Sequence, residues 1–138
     1  MSNFGKISPL KKELLDLYSE EIEKLNLYET SQGTIEINVL KIFSRFRNQG
    51  VASNILQRIV DYADSKNKIV HLTPTDEFGS DKKKLEEFYQ RFGFVKNSGK
   101  NKDFTIKDSM LRYPHNKIYG TKLIPTFEEF VGENFKQI

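Results

Sequence analysis

One continuous stretch constrains the fold more than any other: an apolar run over residues 35–43, then Arg47-Asn48-Gln49-Gly50-Val51-Ala52, then a periodic run over 51–63. The segment beginning Thr34-Ile35-Glu36-Ile37 is rich in β-branched residues and alternates at its start, which specifies a strand. Its later part is continuously apolar, as in a strand covered on both faces. Val51, Ala52, Ile55, Leu56, Ile59, Val60 and Ala63 recur at a 3.6-residue period and specify an amphipathic helix. Residues 65–68 end that helix, and the apolar run 69–73 supplies a second strand, so the unit reads as a right-handed parallel crossover. Where the first strand gives way to the helix, a glycine turn opens a helix N-terminus. The amides there lack intrahelical acceptors and carry partial positive charge, which makes the junction an anion site.

Composition removes several kinds of chemistry. The 138 residues suffice for one domain with its own core, built largely from eleven Phe and six Tyr in the absence of Trp. Apolar residues at 37% and charged residues at 30% fit an ordinary globular chain. Zero Cys excludes disulfides, thiolate metal sites and a cysteine nucleophile, and with His71 and His115 as the only histidines no metal site is expected. The net charge of +3 and pI near 9.0 favour anionic ligands or an acidic partner. The basic residues are not interleaved with aromatics on one face, which disfavours nucleic acid. No secretory leader and no apolar run of spanning length stand in the sequence, so a cytoplasmic location is expected.

The flanking segments read as support. Ser8-Pro9 is a helix-entry signal, and Leu10, Leu14, Leu17, Tyr18, Ile22 and Leu25 predict a helix over residues 9–25. Residues 27–30 predict a short strand joined through Ser31-Gln32-Gly33 in a hairpin to the central one. Ser80 or Asp81 can cap a helix whose stripe is Leu85, Phe88, Tyr89 and Phe92, closed by Gly93. Residues 94–97 and 109–113 predict an antiparallel pair around a polar, Lys-rich loop, with Pro114 ending the sheet. In the tail, Thr126 and Glu129 form a capping box, and Phe127, Phe130, Val131 and Phe135 a stripe that must pack on the domain or on a second copy in a homodimer. The expected layout is a single domain over 1–138: helix 9–25, core 27–114 and tail 115–138.

Two motifs stand in order: Arg47-x-x-Gly50-x-Ala52 after a strand, and Phe88-Tyr89-Gln90-Arg91-Phe92-Gly93-Phe94 at the end of the next helix. With the strand 69–73 between them, the chain resembles the GNAT family of acetyl-CoA-dependent N-acetyltransferases over about residues 27–114. It looks especially like small bacterial and phage GNAT proteins, which share the stretches at 72–74 and 102–104. The resemblance implies a mixed α/β fold: a central mixed sheet with a splayed parallel pair, flanked by helices. It also implies acetyl-CoA as co-substrate, with its pyrophosphate on Arg47, Asn48, Gln49, Gly50, Val51 and Ala52. Its pantetheine arm would lie between Leu40, Ile42 and Phe43 on one strand and Leu72, Thr73 and Pro74 on the other. A backbone N–H near Phe43 would face the thioester oxygen. The P-loop alternative lacks its Gly-Lys-Ser/Thr ending, and the dinucleotide alternative lacks its third glycine and acidic partner.

By the same resemblance Tyr89 protonates the departing thiolate, although a core or rim aromatic is the plain alternative. Glu36 stands where some members take the amine's proton through water; His71, Asp76 and Glu77 compete with it, and a solvent-facing carboxylate is the bland reading. Two departures matter. Lys82 stands where the family often has an asparagine, so Lys82 or Lys84 would meet a phosphate instead. The N-terminal region is short, which leaves the amine acceptor, a protein or a small molecule, unassigned. An acyl-CoA sensor without turnover and a phage–host interaction protein remain as non-enzymatic alternatives.

Overall fold

A computed structural model describes residues 7–75 and 81–115. Helix α1 (Ser8–Leu17) leads into strand β1 (Ile22–Glu29), which returns as β2 (Ile35–Ile42); α2 (Val51–Ser65) and β3 (Val70–Leu72) follow. Helix α3 (Lys82–Gln90), β4 (Val95–Lys96) and β5 (Met110–Arg112) complete the described chain. The five strands form one mixed sheet in the order β1-β2-β3-β5-β4. Only the β2/β3 seam is parallel; β1/β2, β3/β5 and β4/β5 are antiparallel. The fold class is therefore mixed α/β, as the resemblance implies. The tail segment with Thr126 and Glu129, the cap Ser80, and Asp76 and Glu77 lie outside the described residues.

The core joins sheet to helices. Ile35, Ile37, Val70, Leu72 and Met110 pack with Ile55, Leu56, Ile59, Val60 and Ala63 of α2 and with Leu10 and Leu14 of α1. Of the periodic positions read from the sequence of α2, Ile55, Leu56, Ile59, Val60 and Ala63 are buried, and Val51 and Ala52 at its start pack partly buried against the core. No helix among the described residues is long and apolar enough to cross a membrane.

One element differs from expectation. The first helix stops at Leu17, not at residue 25, and residues 22–29 form a full strand in place of the short one at 27–30. The N–H groups of Glu21 and Ile22 both turn back to the Tyr18 carbonyl, and the chain then pairs with β2 from Ile22 to Glu29. Register shifts between Ile22 and Lys24 and between Asn26 and Leu27 break the alternation of buried positions. The period-two signal is lost, while Leu14, Tyr18, Ile22 and Leu25 happen to continue helical spacing.

The loop between β4 and β5 is ordered around a single amide. Asn97, 8% exposed, donates to the carbonyls of Asp103, Ile106 and Asp108 and accepts from the Asp103 N–H. Beneath β5, Arg112 donates to the Phe92 carbonyl through Nε at 2.6 Å and makes a two-pronged ion pair with Asp64 of α2 at 2.8 and 3.1 Å.

Candidate functional site

The parallel seam is short. Two residue pairs, Ile35 with Val70 and Glu36 with His71, hold β2 and β3 together. Beyond them β2 continues for six residues without β3 alongside. The cause lies within β2. The Ile35 N–H donates across the seam to Ile69, whereas the Phe43 N–H donates to Glu21 on the opposite side. Residues 35 and 43 have the same parity, so a regular strand would send both amides the same way. One residue must be extra, and the register shows it: Leu27 faces Ile37 and Asn26 faces Val39, which leaves Asn38 bulged. A bulge bends its strand and resets its phase. Past it, the main chain of Leu40 and Ile42 faces the gap.

At the end of that strand lies the helix start that the sequence predicts as an anion site. Gly50 has φ +82° and immediately precedes α2, whose N-terminus has no side-chain cap. The Asn54 N–H is bonded to the Gly50 carbonyl, so the N–H groups of Val51, Ala52 and Ser53 precede the first intrahelical donor. A Cβ on Gly50 would meet nothing within 4 Å, so the glycine is there for its left-handed backbone and fronts open space. Gly50→Ala is expected to cost about 1–2 kcal/mol by strain alone, measured by urea unfolding; a loss below 0.5 kcal/mol on the same scale would show that the turn relaxes. Arg47 braces the turn, its Nε donating to the Ile42 carbonyl at 3.0 Å. Gln49 is exposed, its side-chain amide donating to the Arg45 carbonyl.

These features open into one cavity of about 640 Å³. Leu40, Ile42, Arg47, Asn48, Gly50, Val51, Ala52, Thr73 and Tyr89 line it, which brings together most of the sequence-predicted site. Phe43, Gln49, Lys82 and Glu36 are not among its lining residues. The Phe43 N–H, expected to face a thioester oxygen, is already bonded to Glu21; the strand phase assigns that direction to Leu40 instead. Of the two lysines considered, Lys84 lines the cavity, and Arg91 joins it from the end of α3. With Arg47 they give the walls an excess of positive charge. No local pattern marks Arg91, because its place depends on how α3 docks.

Tyr89 lies on the face of α3 toward the cavity, edge-on to Phe88 and Phe94 with ring centroids 5.3 and 5.7 Å away. Burial among these rings pushes its phenol up to about 12. It therefore carries its proton throughout the neutral range.

Glu36 sits just behind the cavity. It is half-buried, its neighbour Ile37 is a lining residue, and its carboxylate bonds the Tyr28 hydroxyl. Burial first, then that hydrogen bond and the charges of Glu36 and Asp108, raise the Tyr28 phenol. His71, 5% exposed, is bonded at both ring nitrogens, to Asp108 and to Thr34. Burial alone would raise the Asp108 carboxyl, but hydrogen bonds from His71 and Thr73 outweigh it and hold the group below its usual range. The sequence reading did not include Tyr28, Thr34 or Asp108. Thr34 and Asp108 each lie 37 residues from His71, so no local signal links them.

No protein-family model and no curated protein matches the chain. Among solved structures it is similar to Ard1 from Thermoplasma volcanium: 19% identity, 78% of this chain and 80% of that one covered, TM-score 0.46. It is also similar to Arabidopsis thaliana Naa50 in complex with the bisubstrate analogue CoA-Ac-MVNAL, at 22% identity and TM-score 0.39. That likeness covers 65% of this chain and 59% of Naa50.

Proposed function

We propose that the chain is a single-domain GNAT-type N-acetyltransferase that moves the acetyl group of acetyl-CoA to a primary amine, which a protein or a small molecule can supply. One observation carries this reading: the uncapped start of α2, the unpaired edge of β2 and the protonated Tyr89 all meet in one cavity. Each suits a different part of an acyl-CoA. The α2 amides with Arg47 and Lys84 suit the phosphates, and Gly50 leaves room for them. The main chain of Leu40 and Ile42 suits the amide-bearing arm as a strand partner would.

The chemistry then follows from the residues. The Leu40 N–H faces the place where negative charge develops on the thioester oxygen, and a fixed donor there stabilises the transition state. Tyr89 supplies a proton to the leaving sulfur. The apolar surroundings that raise the phenol also raise the basicity of a thiolate placed beside it, so the two stay matched.

Acetyl-CoA at a hundred times its Kd is expected to stabilise the fold by about 2.7 kcal/mol, a melting shift of roughly 8–11 °C for a domain of this size. An amine screen read by free-thiol release completes the test. No shift at millimolar acetyl-CoA would remove the reading. A shift without thiol release from any amine would leave an acyl-CoA sensor.

A further inference from the structure

Three atoms change partners during acetyl transfer, and the acetyltransferase reading gives a place to two of them: the Leu40 N–H takes the thioester oxygen and Tyr89 the sulfur. The incoming nitrogen is the third. As it attacks, its N–H groups become acidic and one of them needs an acceptor. Glu36 does not line the cavity. Among the described residues that do, Asp81 is the only one with a carboxylate, and its Oδ1 takes the Lys83 N–H at the head of α3. Thr73 donates its hydroxyl to Asp108 and accepts the Ser109 N–H. Thr75 is already partnered. Asn48 and Ser53 flank the start of α2, at the phosphate end. Asn38 is left.

Asn38 is out of place as a strand residue. Asparagine is depleted in strands, because its side chain competes with the backbone for hydrogen bonds. Here it is the extra residue of the β2 bulge and the one exposed residue of that strand. It lines the cavity, and among the described residues its carboxamide has no hydrogen-bond partner. A polar side chain on a central strand that packs nothing and bonds nothing has no evident structural purpose there.

Location supplies one. Bulges beside a site re-aim a side chain, and Leu40 lies only two residues further on, about 6–7 Å along extended chain. An asparagine side chain and one hydrogen bond of about 2.9 Å cover that span. The bulge that turns the Leu40 main chain toward the gap therefore also sets a free carboxamide beside the same carbon. Its Oδ1 is an acceptor and its amino group a donor, so it suits an N–H and never carries charge.

We propose that Asn38 holds the acceptor nitrogen: its Oδ1 accepts one N–H of a primary amine that arrives uncharged, and so aims the lone pair at the thioester carbon. The proposal rests on the acetyltransferase reading. The uncharged form follows from the walls, where Arg47, Lys84 and Arg91 outweigh Asp81, and Lys41 is paired with Glu23 at 3.5 Å. Such a cavity disfavours an ammonium. The C–N bond forms and the C–S bond breaks. The nitrogen gives one proton to water, while Tyr89 protonates the sulfur and recovers one from solvent. One amine and one thioester thus yield one amide and one thiol. Amines with a low pKa, such as α-amino groups, are then the favoured acceptors at neutral pH.

The test follows kcat/KM of the full chain by thiol release, with acetyl-CoA and either alaninamide, an α-amine of pKa near 8, or Nα-acetyl-lysinamide, an ε-amine near 10.4. In the wild type the value is expected to rise with pH to a break at about 8 for the first amine and to show none below about 10 for the second, because the break belongs to the amine. A common break with both amines would show that a titrating protein group takes the proton, and would overturn the proposal. Asn38→Leu, of similar size and at ease in a strand, should lose about 10–100-fold in kcat/KM with both amines and keep the acetyl-CoA melting shift. Asn38→Asp, which retains an acceptor, should regain most of that loss. Wild-type values in Asn38→Leu, or equal losses in the two variants, would sink the role of Asn38 and leave the acetyltransferase reading standing. Absence of turnover with these and every other amine screened would remove that reading, and this inference with it.

Discussion

Replacing Asp64 with alanine is expected to destabilise the protein by about 3–5 kcal/mol, because it strands a buried guanidinium. Arg112 and Asp64 side chains are 4% and 12% exposed, and their two hydrogen bonds join β5 to α2 across the core. Asp64 also accepts the His115 N–H at 2.8 Å, and Arg112 holds the Phe92 carbonyl at the end of α3. Removing the carboxylate therefore loosens three segments and leaves a charge with no counterpart nearby. At roughly 3–4 °C per kcal/mol for a chain of this length, the melting temperature should fall by about 9–20 °C. Asp64→Asn, which keeps an acceptor but no charge, should lose less. A drop under 1 kcal/mol in urea unfolding of Asp64→Ala would show that the pair is incidental, as exposed pairs are.

The same pair sets an acid limit. Burial alone would raise the Asp64 carboxyl, but hydrogen bonds from Arg112 and His115 and their charge outweigh it and hold it below its ordinary value. A depressed folded-state value means that the stabilisation is fully present above the unfolded pKa, near 4, and is lost as pH falls through the folded one. Wild-type stability should thus decline below about pH 4, and Asp64→Ala should lack that share of the decline. Equal acid slopes for the two proteins in denaturant titrations would count against it.

Tyr89→Phe is the second large effect expected, and it falls on activity. The substitution removes one oxygen and keeps the edge-on packing against Phe88 and Phe94. Turnover should fall by about 100-fold or more, the range seen when a positioned proton donor is lost. The acetyl-CoA melting shift should change little, since the phenol oxygen is one atom in a large cavity. Because burial pushes the phenol up to about 12, wild-type turnover should show no alkaline loss attributable to Tyr89 below about pH 10. A variant with wild-type turnover would reduce Tyr89 to a wall of the cavity.

Much of the fold was legible because its signals are local. The α2 stripe predicts its buried residues, since a 3.6-residue period fixes which side chains share a face. The turn at residues 47–50 is legible because Gly50 adopts a backbone that side-chain-bearing residues avoid. Tyr89 could be placed beside the core because Phe88 and Phe92 define the same stripe. The first helix was overdrawn for the converse reason: β1 owes its form to pairing with β2, and its register shifts erase the alternation that would have announced it.

The sequence by itself therefore determined the strand–turn–helix–strand unit, the uncapped helix start and the tyrosine that follows, all properties of residues within a few positions of one another. Tertiary structure alone decided the rest. The bulge at Asn38, visible only once β1 lies against β2, turns the Leu40 main chain toward the gap and leaves Phe43 bonded to Glu21. The docking of α3 places Lys84 at the cavity in preference to Lys82. The convergence of Thr34, Glu36 and Asp108 on His71 needs segments tens of residues apart to meet at one seam. Side chains that distant share no periodicity or propensity, so only the packed sheet brings Thr34 and Asp108 within hydrogen-bonding reach of His71.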